Sequence, residues 1–247
     1  MIVNFELVKK IKSWIKEYFD NNSNSQVGPK AIIGISGGKD SAVCAKLLCD
    51  TIGPENVTCV LMMSEETKKD MDYAIEFVTS YLKANIVLID PKYISELKKL
   101  FKMTIDDNLS EQASINITPR IRMTILYMLA STLHARVCGT GNLSERTVGY
   151  FTKWGDGACD FNPIGNLTCT EVLEIGNILE IPSYIMNRQP EDGVSGKTDE
   201  ENMGFSYKEL DDYIRKTNFA SFNYPKILIM EKANRHKNNP IPMFEIN

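Results

Sequence analysis

Several things this chain lacks narrow the field first. Its six cysteines form no CxxC pair, which argues against a zinc ribbon or an iron–sulfur centre and leaves reduced, mostly structural thiols. It has no basic excess. Lys and Arg number 28 against 32 Asp and Glu, a net charge of −4, so the field that non-specific nucleic-acid binding needs is missing. No apolar run is long enough to span a membrane. The opening residues, MIVNFELVKKIKSW, have neither the apolar centre nor the small-residue cleavage site of a signal peptide. A cytoplasmic protein without nucleic-acid or membrane partners is expected. Internal repeats, low-complexity tracts and clear linkers are absent too. With 247 residues, 43% of them hydrophobic, one large α/β domain spanning 1–247 is the expectation.

What is present is an alternation. Phe5, Val8, Ile11, Ile15 and Phe19 recur at helical spacing over 4–20. Apolar strand-like runs lie at 30–35, 57–63, 85–90 and 136–140. Helical patterns fall between them at 40–52, 67–83, 93–103 and 120–135, the last with Pro119 near its start. The stretch 103–119 has weak periodicity and reads as mobile. The C-terminal third reads as irregular, with a polar, Gly-rich loop or lid at 189–205, then helices near 206–216 and 223–235. Strands alternating with helices imply an α/β fold, a doubly wound, mostly parallel sheet flanked by helices with a helical C-terminal part. Such sheets bind ligands beyond the carboxyl ends of their strands. Two polar loops converge there, 36–41 after the first strand and 140–145 after the fourth.

The first loop reads Gly34-Ile35-Ser36-Gly37-Gly38-Lys39-Asp40-Ser41. Glycines let backbone N–H groups approach phosphate oxygens, and the helix that follows adds the positive end of its dipole. Ser36 and Ser41 offer hydroxyl donors, and Lys39 offers charge. The GxxxxGK[ST] pattern is absent, so this is not a Walker A loop. Asp40 has two readings. It caps the helix, or it is a ligand of a Mg²⁺ ion that bridges to phosphate. Glu145, on the second loop, is the natural partner for the second reading.

Ser36 to Ser41 resembles the SGGxDS signature of the ATP pyrophosphatases, which have the adenine nucleotide alpha hydrolase-like fold and cleave ATP between its α and β phosphates. Residues 139–160, GTGNLSERTVGYFTKWGDGACD, resemble the GTGNxSE…GYFTKxGDGxxD block of the NAD synthetases. TDEENMGFSYKELDDYI (198–214) and HKNNPIPMF (236–244) are similar to later segments of the same family. The resemblance implies an ammonia-dependent enzyme without a glutaminase domain, amidating deamido-NAD to NAD through an adenylated intermediate, with ATP and Mg²⁺. It implies a homodimer. It implies that Thr140 joins Gly34–Ser41 in contacting ATP, that Asp40 and Glu145 hold the metal, and that no side chain is a covalent nucleophile. Arg120, Lys153, Asp160, His236 and Lys237 fall at positions that contact deamido-NAD. Two positions depart from the pattern. Cys169 stands where the family carries a lysine toward the ATP phosphates, and Glu191, in Pro190-Glu191-Asp192, stands where a lid hydroxyl is usual. A charge deficit at 169 is expected, with Lys197 on the lid as one possible source of compensation.

Overall fold

The computed structural model describes residues 2–23, 28–62, 71–104, 109–188, 198–218 and 221–245. The stripe Val8, Ile11, Ile15 and Phe19 is buried along one face of α1 (Phe5–Asn22), which starts where the Asn4 side chain accepts the Leu7 N–H. Four parallel strands follow: β1 (Ala31–Ile35), β2 (Val57–Leu61), β3 (Asn85–Leu88) and β4 (Arg136–Val137). They are arranged in the order β3-β2-β1-β4. In register, Ile33 lies beside Cys59, and Cys59 beside Ile86. β1 and β2 are apolar almost throughout because both sheet faces are covered, as the crossovers of a parallel sheet require.

Side chains alternate across the pleat, so β1 feeds two cores. Ile33 and Ile35 join Leu47, Leu48 and Cys44 of α2 (Lys39–Ile52) and the stripe of α1. Ile32 turns the other way, with Val60 and Val137, against Ile121 and Ala130 of α5 (Glu111–Leu133). Between them run α3 (Met71–Glu76), which continues as a π-helical segment Phe77–Leu82, and α4 (Pro91–Thr104). The chain winds outward from β1 to β3, then returns to place β4 on the other side of β1. Where the direction of winding reverses, the loops after β1 and β4 part and leave a crevice.

A third core, with Val148, Cys169, Met203, Leu210 and Ile227, assembles the C-terminal helices. These are α6 (Leu143–Val148), α7 (Cys169–Ile178), α9 (Asp199–Met203), α10 (Tyr207–Arg215) and α11 (Tyr224–Asn234), whereas α8 (Ser183–Met186) packs Ile185 and Met186 into the core with α1 and α2.

The structure corrects four expectations. Residues 111–119 are helical: α5 begins at Glu111, where the Ser110 hydroxyl accepts the Ala113 N–H, and Pro119 lies inside the helix. The polar first turns of α5 hide its period, while Ile117 and Ile121 still reach the core. Residues 169–178 are not irregular but form α7, opened by a reciprocal Thr168–Glu171 capping box. Residues 198–205 are structured as well, since a second such box, Thr198–Glu201, starts α9. The rest of the expected lid, 189–197, and with it Glu191 and Lys197, lies outside the described residues. β4 is also shorter than its apolar run. Past Val137 only a single bridge, Cys138 to Phe161, continues the pairing.

Candidate active site

β1 delivers the chain to the crevice at Ile35. Gly37 then adopts a left-handed φ of +80°, open to glycine at no steric cost, and Gly38 is the N-cap of α2. Among the described residues no side chain caps this helix, which leaves its first-turn N–H groups available toward the crevice. Two serines shape the loop. Ser36 Oγ accepts the Gly38 N–H at 3.2 Å, and Ser41 Oγ accepts the Ser36 N–H at 3.3 Å while donating to the Gly38 carbonyl at 3.0 Å. Their hydroxyls lie 3.2 Å apart.

Asp40 makes no capping bond. Its Oδ2 accepts from Lys39 Nζ at 2.7 Å and its Oδ1 from Asn142 Nδ2 at 3.3 Å. Asn142 is fully buried and sits at the head of α6, on the loop after β4 that carries Thr140. Its side chain accepts the Glu145 N–H, and Glu145 Oε2 accepts the Asn142 N–H, both at 3.0 Å. One asparagine therefore caps α6, orients Glu145 and ties the second loop to the first. The sequence reading did not single it out, although the spacing from Asn142 to Glu145 is that of a capping box. Burial, and then the charge of Asp40, push the Glu145 carboxyl well above the usual carboxylate range, with Lys39 pulling the other way. Two neighbouring carboxylates with oxygen donors alone suit a hard divalent cation completed by phosphate oxygens and water. Among the described residues no group of three or more potential metal ligands forms, so such an ion would depend on the nucleotide.

Gly139 leads into this second loop, and a Cβ there would meet Cys159 Sγ at 2.6 Å. Lys39 is buried, with 6% exposure, and its ammonium lies 5.7 Å from the centre of the Tyr207 ring. It opens on a cavity of about 410 Å³ lined also by Cys169, Thr170, Arg188, Asp199 and Tyr207. Cys169 occupies the first position of α7, and burial pushes its thiol up to about 12.

The remaining predicted residues line a separate zone. Arg120 Nη2 donates to the Lys153 carbonyl at 3.4 Å, and Lys153 Nζ to the His236 carbonyl at 2.8 Å. Lys237 Nζ donates to the carbonyls of Gly149 and Phe151 at 2.6 and 2.9 Å. These four are thus brought together, chiefly through main-chain carbonyls. Asp160 stands at a second cavity, of about 420 Å³, with Tyr127, Ser131, His134 and Arg136. Its carboxylate accepts the Val137 N–H at 2.7 Å and the Tyr127 hydroxyl at 3.3 Å, so it also braces the edge strand. Arg122, two residues after Arg120, was not singled out. Its Nε is buried without a hydrogen-bond partner among the described residues; burial weighs against its charge while Asp156 favours it.

The family model described as NAD synthase matches residues 7–240. A relative from Carboxydothermus hydrogenoformans, named NH(3)-dependent NAD(+) synthetase, is 36% identical over 241 residues, 96% of each chain. Among solved structures, an NMN synthetase from Francisella tularensis superposes with a TM-score of 0.87 at 30% identity, covering 98% of both chains. An NH3-dependent NAD synthetase from Campylobacter jejuni, in complex with the nitrate ion, gives a TM-score of 0.74 at 26% identity, covering 97% of this chain and 98% of its own.

Proposed function

The chain belongs to the NAD synthase family, and from that premise we propose that it is an ammonia-dependent ligase acting on deamido-NAD and ATP. The carboxylate of the pyridine ring attacks the α-phosphorus of ATP and pyrophosphate leaves. Ammonia then attacks the acyl carbon of the adenylate, a proton is lost and AMP leaves with the ring's former carboxylate oxygen. The observation that carries this reading is the meeting, across the crevice between β1 and β4, of an uncapped helix N-terminus with Asp40 and Glu145, joined by Asn142.

Each group then has a task. The N–H groups of the α2 first turn and the Ser36 and Ser41 hydroxyls bind phosphate oxygens. Thr140 holds the nucleotide from the other loop. Asp40 and Glu145 would hold Mg²⁺, which when bound supplies neutralising charge for the departing pyrophosphate. Arg120, Lys153, Asp160, His236 and Lys237 take the pyridine dinucleotide, with the two ammonium groups exchanging main-chain carbonyls for ligand oxygens. No side chain is required as a nucleophile, so rate enhancement comes from positioning and electrostatics. A second copy of the chain, as a homodimer, completes the assembly.

The stronger match to the Francisella NMN synthetase favours one second reading, in which the acceptor is the carboxylate-bearing mononucleotide. Incubation with ATP, Mg²⁺ and ammonium, with either pyridine nucleotide, tests both. The expected result is amide, AMP and pyrophosphate in equal amounts, with the higher kcat/KM for the dinucleotide. A higher value for the mononucleotide selects the second reading, and no amide from either refutes both.

A further inference from the structure

Burial and its place on the helix oppose the charge of Lys39, and Asp40, Cys169 and Glu145 outweigh them and hold the ammonium above the ordinary lysine range. Lys39 is the first residue of α2, where the helix dipole repels a cation. It is the only lysine or arginine among the buried described residues, and an ammonium is costly to take out of water. Among the described residues its one hydrogen-bonded oxygen is Asp40 Oδ2, although an ammonium has three protons to donate. Among the described residues the Tyr207 ring, the Cys169 thiol and the Glu145 carboxyl also lie near it. A lysine kept in such a place for packing alone would be better replaced by an apolar residue. Rule-breaking positions of this kind mark functional sites.

The geometry around it shows what the ammonium faces. Lys39 and Cys169 are the first residues of α2 and α7, and both line the cavity of about 410 Å³. The N-termini of these helices, 14 and 10 residues long, meet at this wall. Arg188 lines the same cavity and donates to the Ser36 carbonyl at 3.4 Å, which places the cavity against the phosphate loop. We infer that Lys39 and Cys169 are an exchanged pair, in which the positive charge toward the ATP phosphates is carried by the first residue of α2 instead of the first residue of α7. This rests on the proposed use of ATP and goes beyond it by assigning the source of the charge. It also reverses the expectation that position 169 leaves the site short of a cation, and leaves no need for Lys197. Asp40 holds the ammonium in place, and a phosphate oxygen takes one of its remaining protons.

The test moves the charge. Mg·ATP affinity is measured by calorimetry, at low and high salt, for the parent, Lys39→Met, Cys169→Lys and the double variant. Lys39→Met is expected to weaken ATP ten- to a hundredfold, with the loss shrinking as salt rises. Cys169→Lys alone forces two ammonium groups together and should give no gain. The double variant should return to within about threefold of the parent, and Lys39→Arg should retain most of the affinity. Parent-like affinity in Lys39→Met, a tenfold gain in Cys169→Lys alone, or no recovery in the double variant overturns the exchange. A parent that binds ATP but forms no amide would sink the proposed reaction while leaving this comparison intact. A parent that binds no ATP would end both.

Discussion

Replacing Gly139 by alanine should damage activity more than stability. The residue does not occupy the left-handed region, so its backbone accepts any side chain and the obstacle is space. The added Cβ would lie 2.6 Å from Cys159 Sγ, 3.0 Å from Cys159 Cβ and 3.2 Å from Asn162 Cβ. Overpacking of this kind costs about 1–3 kcal/mol. At about 2–4 °C per kcal/mol for a chain of this size, Tm should fall by roughly 2–12 °C. The strain is relieved by moving the chain outward, and the chain in question carries Thr140, Asn142 and Glu145 into the crevice. A displacement of about 1 Å in a positioning group costs about a hundredfold in rate. Thermal unfolding and turnover are measured on Gly139→Ala and on Gly139→Ala with Cys159→Ala. The second substitution removes the 2.6 Å contact and leaves the 3.0 Å contact, so it should recover part of both losses. Parent-like Tm and turnover in Gly139→Ala would refute the reasoning, and so would an equal loss in the presence and absence of the Cys159 sulfur.

Asp40→Asn and Glu145→Gln should each lower turnover by about 10²–10³-fold. Glutamine preserves the capping box with Asn142, so Glu145→Gln should keep its Tm, and near-normal turnover at limiting Mg²⁺ would remove these residues from the metal site. Alanine at Arg120, Lys153 or Lys237 should raise KM for the pyridine nucleotide more than for ATP, and a selective rise for ATP would show the sites to be misplaced. Arg215 grips the buried Glu171 through two bonds of 2.9 and 2.6 Å, so Arg215→Met should cost roughly 2–3 kcal/mol by removing those charge-assisted bonds. Burial raises the Glu171 carboxyl, but the Arg215 bonds and the Thr168 N–H outweigh it and hold it below its ordinary value. Its contribution is therefore present above the unfolded carboxyl pKa of about 4.3 and is lost as pH falls through the folded value. The Tm gap between parent and Arg215→Met should narrow in acid, and a gap that widens there would contradict the assignment.

The sheet was legible because β1 and β2 are buried on both faces, and continuous apolar runs are hard to mistake. α7 was not, because its ten residues carry apolar side chains for two cores and its signal is a capping box instead of a stripe. α5 was cut short for a related reason: Pro119 reads as a helix start, yet a helix of 23 residues whose Ile121 and Ala130 are buried in the core tolerates the lost hydrogen bond and the ring's crowding of the preceding turn. In the candidate site, the Gly-rich loop 34–41 and the two carboxylates, Asp40 and Glu145, could be singled out as candidates from their residue types and from the order of strands and loops. What one chain of letters hid were relations across it. That Asn142 reaches Asp40, 102 positions away, and that Lys39 lies beside Cys169, follow from the pairing of β1 with β4 and the packing of α2 on α7 and from no local pattern.

The seam formed by residues 234–238 has a consequence for how the protein is made. Asn234 Nδ2 bonds the Val148 carbonyl, Lys237 Nζ the carbonyls of Gly149 and Phe151, and Asn238 Nδ2 the Arg146 carbonyl, at sequence separations of 86–92 residues. Such distant closures form late, because the entropy of a long loop is lost before any contact repays it. During synthesis the parallel sheet can assemble once β4 has emerged, while the segment 146–153 still waits for a strand of chain not yet translated. A nascent chain halted near residue 230 would hold a finished sheet while the carbonyls of Arg146, Val148, Gly149 and Phe151 still lacked the side chains that latch them.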